Sequence, residues 1–83
     1  MKQTILITGS SRGIGKAIAL RLAQAGFDIV VHCRNRAVEA EAVAQAVREL
    51  GQNARVLQFD VSNRVEAAEK LIADVEANGA YYG

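Results

Sequence analysis

Thr4-Ile5-Leu6-Ile7-Thr8-Gly9-Ser10-Ser11-Arg12-Gly13-Ile14-Gly15 begins as an apolar, β-branched run and ends in three closely spaced glycines. The run from Thr4 to Thr8 reads as a strand covered on both faces. The glycines stand at the spacing G-x-x-x-G-x-G, between that strand and a stretch with helical periodicity. Each has a separable task. Gly9 turns the chain out of the strand, Gly13 leaves the backbone bare to an approaching diphosphate, and Gly15 lets the helix lie close to the strand. The N–H groups of the first helical turn, including that of Ile14, then face the phosphates at the positive end of the helix dipole. Ser10 and Ser11 add hydroxyl donors. A tight strand-to-helix turn alone needs one glycine, not three. The spacing is neither G-x-G-x-x-G nor a Walker loop, which ends in Gly-Lys-Ser/Thr.

Outward from the loop, the same strand–turn–helix unit recurs twice. Ile29-Val30-Val31-His32-Cys33 is a second continuous apolar run, and Arg55-Val56-Leu57-Gln58-Phe59 a third that alternates more, as suits a sheet edge. Ile14, Ile18, Leu22 and Ala25 repeat at helical spacing. Val43, Ala46, Val47 and Leu50 form a second stripe, and Val65, Ala68, Ile72 and Val75 a third. Gly26, Gly51 and Gly79 close the three stretches. Helices are predicted over 13–25, 36–50 and 63–78, the last with Asn63 and Glu66 as a capping pair. The order βαβαβα, without proline, predicts an α/β fold with a parallel sheet and right-handed crossovers. Two moves in one direction give strand order 3-2-1, with the first two helices on one face. That is one mononucleotide-binding half of a three-layer, Rossmann-type fold. The third helix is expected to cover the opposite face only by crossing back towards a fourth strand.

Composition narrows the function classes. Ten Lys and Arg balance nine Asp and Glu, so a net charge of +1 gives no reason to expect nucleic acid or an anionic membrane as partner. With 51% hydrophobic and 23% charged residues the chain is that of a globular domain, and its length allows one domain, 1–83. No apolar run spans a bilayer, and a cytoplasmic location is expected. One cysteine and one histidine leave neither a disulfide framework nor a metal cluster. Cys33 reads as a buried strand residue and His32 as strand packing.

Thr8-Gly-Ser-Ser-Arg-Gly-Ile-Gly15 resembles the TGxxxGIG motif of the short-chain dehydrogenase/reductase family. Within that family it is most similar to the 3-oxoacyl-[acyl-carrier-protein] reductases, which often carry serine and arginine in this loop. The resemblance covers the whole chain and includes Phe59-Asp60-Val61, where it implies that the Asp60 carboxylate and the Val61 backbone meet the adenine. It implies NADPH-dependent reduction of a carbonyl on an acyl thioester, as in fatty acid biosynthesis. Other members act on sugars, polyols or steroids, and a third alternative is a non-catalytic NADP-binding sensor or scaffold. A flavodoxin-like fragment is disfavoured by the glycine spacing.

The end of the second strand chooses the nucleotide. An acidic residue there would take the ribose 2′-hydroxyl, whereas His32-Cys33-Arg34-Asn35-Arg36 offers no carboxylate. Arg34 is placed for a 2′-phosphate, Arg12 for the same group from the glycine loop, and Asn35 and Arg36 lie beside them. NADP(H) is the expected cofactor. The family's serine, tyrosine and lysine are not in these 83 residues. Tyr81 and Tyr82 read as packing or a frayed end, since no lysine stands four residues on. The chain is therefore expected to be the cofactor-binding N-terminal part of a reductase, inactive alone and without catalytic residues. It is also expected to self-associate through an exposed first strand or sheet face.

Overall fold

A computed structural model describes residues 3–79, so Tyr81 and Tyr82 lie outside the described residues. The elements follow the predicted order: β1 (Thr4–Ile7), α1 (Gly13–Gln24), β2 (Asp28–Cys33), α2 (Ala37–Glu49), β3 (Ala54–Gln58) and α3 (Arg64–Asn78). The sheet is parallel in the order β1-β2-β3, which is the expected 3-2-1 arrangement. Thr4 pairs with Asp28 and Ile7 with Val31, while Ile29 pairs with Ala54 and Cys33 with Gln58. The ends of all three strands thus reach the same rim, where ligands of open α/β sheets bind.

Side chains alternate across this sheet. Ile29, Val31 and Cys33 face the helices α1 and α2 and pack with Ala19, Ala23, Ala40, Val43, Ala44 and Val47. The contact face of α1 is led by Ala19 and Ala23 with Leu20 and Leu22 packed beside them, and of the expected stripe Ile14, Ile18 and Ala25 stay outside it. Ile14 is 81% and Ile18 45% exposed, and Ala25 is exposed too. The reason is distance: small residues let α1 sit close over the sheet, and its larger side chains then fall beside the outer edge of β1. Ile18 and Leu22 line a groove there with Ile5 and Ile7.

The opposite face carries Leu6, Val30 and Arg55, which share one row across the register. Helix α3 lies on this face with no fourth strand following it among the described residues, which corrects the expectation that it needs one. Asn63 caps it as predicted, its Oδ1 accepting from the Glu66 N–H at 3.1 Å. Its anchor is Asp74, only 7% exposed, which receives the Arg55 guanidinium at 2.8 and 2.7 Å. The apolar stripe is largely uncovered, with Val65 69% and Ile72 58% exposed. A two-pronged Arg–carboxylate contact therefore fixes the helix where burial contributes little. Asp74→Ala should lower unfolding free energy by about 2 kcal/mol, less than for a fully buried pair because Arg55 keeps contact with water. A urea titration followed by circular dichroism measures this.

Candidate functional site

The loop after β1 is held by the strand beside it. Ser10 is completely buried. Its hydroxyl donates to the Ile7 carbonyl at 2.7 Å and accepts from the His32 N–H at 3.0 Å. Its own N–H donates to the His32 carbonyl at 3.1 Å. Ser10 thus prolongs the β1–β2 pairing by one step beyond β1. Its hydroxyl hydrogen is engaged inside the protein, which corrects the expectation that it is a free donor. Ser11 is 9% exposed and lies at the lip of the loop.

Gly9 and Gly13 both have φ +64°, a backbone conformation costly for any residue with a side chain. Space around their Cα atoms is open. Gly15 is different. A Cβ there would lie 2.5 Å from the Gly9 carbonyl oxygen and 3.0 Å from the Ser10 Cα. The close approach is between the first helical turn and the loop itself, not the body of the strand.

At the start of α1, Arg12 occupies the N-cap without a side-chain cap, and the first turn holds no acidic residue. The other two helices differ: α2 has Glu39 in its first turn, and α3 has Asn63 and Glu66. The first N–H groups of α1, those of Gly13, Ile14 and Gly15, lie before the helical ladder begins. A concavity of about 410 Å³ opens beside them, lined by Gly9, Ser11 and Arg12 on one side. His32, Cys33, Arg34, Asn35 and Arg36 form the other. The site is thus cationic, and it can hold an anionic ligand at the rim of the sheet.

The arginines are not equivalent. Arg12 makes no side-chain bond among the described residues. Arg36 turns to Glu39 at 2.8 Å, leaving it less available than its neighbours. Arg34 reaches across the strand ends to the Asp60 carboxylate at 3.4 Å. Two residues singled out separately are therefore partners across the site. Asp60 also accepts from the Ser62 hydroxyl at 2.7 Å and N–H at 2.9 Å. Those bonds, with Arg34 adding attraction, hold its pKa below the ordinary value of 3.8. The stabilisation is present above that ordinary value and is lost as pH falls through the lower folded one. An acid titration of Asp60→Asn should therefore lack a destabilising step that the unaltered chain shows below about pH 4. Val61, 56% exposed, follows on the same rim.

His32 is the residue that sequence reasoning undervalued. It is 4% exposed, yet both ring nitrogens are bonded. Nδ1 accepts from the Gly9 N–H at 2.9 Å, and Nε2 lies 2.8 Å from the Phe59 carbonyl, to which it donates. The Phe59 ring stands 4.3 Å away. A polar residue within an otherwise apolar buried strand must find such partners, and that was the available signal. Cys33 is buried in the core, as expected. No group of metal-ligating side chains occurs among the described residues.

The sequence matches the family model described as short chain dehydrogenase over residues 3–80. It is 88% identical, over all 83 residues, to 3-oxoacyl-[acyl-carrier-protein] reductase FabG of Aggregatibacter actinomycetemcomitans, covering 34% of that protein. It is 44% identical over 73 residues to 2-dehydro-3-deoxy-D-gluconate 5-dehydrogenase of Pseudoalteromonas atlantica, covering 88% of this chain and 28% of that protein. Among solved structures, acetoin dehydrogenase YohF from Salmonella typhimurium superposes with a TM-score of 0.89 at 32% identity. That match covers 98% of this chain and 34% of the other. The chain spans about a third of the length of the curated relatives it matches.

Proposed function

Because this chain belongs to the short-chain dehydrogenase family, we propose that its glycine loop and the end of β2 hold NADP(H) for a 3-oxoacyl-[acyl-carrier-protein] reductase. The observation that carries this reading is the start of α1: three glycines, no side-chain cap, no acid, and Arg12 and Arg34 beside it. The diphosphate lies over the amides from Gly9 to Gly15, and its charge is met by the helix dipole. Arg34 and Arg12 take the 2′-phosphate, Asn35 lines the ribose side, and Asp60 and Val61 border the adenine. When bound, the nicotinamide supplies a hydride to a carbonyl. These residues bind and orient, and none is assigned a catalytic part. The acyl-thioester substrate follows from the 88% identical relative. A cytoplasmic location is part of the same reading, as is self-association through the exposed first strand or the uncovered sheet face.

A second reading, oxidoreduction of a sugar acid, is favoured by the 44% identical relative. Assays of the protein carrying this segment, with a 3-oxoacyl thioester and with a keto-sugar acid, separate the two. For the chain itself, calorimetry with NADP⁺, NAD⁺ and 2′,5′-ADP tests cofactor choice. NADP⁺ and 2′,5′-ADP should bind about equally, and NAD⁺ at least about tenfold more weakly, the worth of one charge-assisted contact. Equal binding of NAD⁺ and NADP⁺ would count against a 2′-phosphate site.

A further inference from the structure

We propose that His32 is a positioning residue for the nucleotide, holding both peptide planes of Gly9 in the orientation that opens the glycine loop. This rests on the NADP reading above. The Gly9 N–H donates to Nδ1 at 2.9 Å, which fixes the peptide before Gly9. The Ser10 N–H donates to the His32 carbonyl at 3.1 Å, which fixes the peptide after it. Glycine adopts a left-handed conformation without steric cost but is not locked in it, and Gly9 sits at φ +64°. One side chain and one carbonyl of a single residue on β2 supply the restraint. The ring is in turn anchored to β3 through Nε2 and the Phe59 carbonyl at 2.8 Å. Nδ1 must be an acceptor in this arrangement, so the neutral imidazole with its proton on Nε2 is the form that works.

Asparagine places an acceptor oxygen at the position of Nδ1, whereas leucine removes it. NADP⁺ affinity of the chain is measured by calorimetry for the unaltered protein, His32→Asn and His32→Leu, with the Gly9 amide followed by NMR. His32→Leu should lose about tenfold in affinity through lost preorganisation, and His32→Asn should stay within about threefold. The Gly9 amide should shift in the leucine variant and less in the asparagine one. Equal affinities for the unaltered chain and His32→Leu would overturn the role of His32 and leave the nucleotide reading intact. So would equal losses in both variants, because the acceptor would then not matter. No binding by the unaltered chain would overturn the nucleotide reading, and this inference with it.

Discussion

Gly15→Ala is expected to abolish measurable nucleotide binding, a loss of at least about a hundredfold, and to destabilise the chain by about 3 kcal/mol. The added methyl would lie 2.5 Å from the Gly9 carbonyl oxygen, closer than any real contact. Both partners are backbone, so neither can swing aside as a side chain would. Either α1 moves away from the loop or the Gly9 peptide rotates, and each displaces the amides that face the phosphates. The same exchange at Gly13 gives a useful contrast. There the space is open, and the cost to folding is only the φ of +64°, about 1 kcal/mol. Gly13→Ala should therefore leave a folded chain with reduced affinity, because the methyl would stand in the path proposed for the diphosphate. Thermal melts and calorimetry on the two variants distinguish crowding inside the protein from crowding of the ligand.

Arg34→Glu should reverse cofactor preference. The guanidinium is 71% exposed and points across the rim to Asp60 at 3.4 Å. Its replacement puts a second carboxylate beside the first, at the place assigned to a doubly charged 2′-phosphate. NADP⁺ affinity should fall by at least about a hundredfold, whereas NAD⁺, with a free 2′-hydroxyl that a carboxylate can accept from, should hold or improve. Folding should hardly change, since an ion pair so open to water contributes little to stability. Competition between NAD⁺ and NADP⁺ measured by calorimetry reads the ratio directly. A parallel fall for both nucleotides would place Arg34 in general electrostatics and not in selection.

Much of the architecture is legible in the sequence because its signals are local. The β-branched runs, the glycines that end each helix and the Asn63–Glu66 pair all act within a few residues, and each strand and helix lies within a residue or two of its expected bounds. The strand order is what two right-handed crossovers moving in one direction give. What the sequence does not reveal is which apolar stripe meets the sheet. Periodicity marks Ile14, Ile18 and Leu22, but of these Leu22 alone packs against the core, beside the fully buried Ala19 and Ala23. The same limit applies at the site. Glycine spacing identifies the loop, yet the inward turn of the Ser10 hydroxyl, the Arg36–Glu39 pair and the double tether of His32 depend on neighbours twenty or more residues apart or on a rotamer. Such contacts leave no periodic trace. A histidine in a buried strand was the one visible anomaly, and it marked the restraint on the loop.

The most direct measurement is a crystal structure of the chain with NADP⁺ bound. Diphosphate oxygens over the Gly13, Ile14 and Gly15 amides, with the 2′-phosphate touching Arg34 and Arg12, would agree with the assignment. Nucleotide bound away from α1, or a loop that closes over the same space while the ligand sits elsewhere, would contradict it.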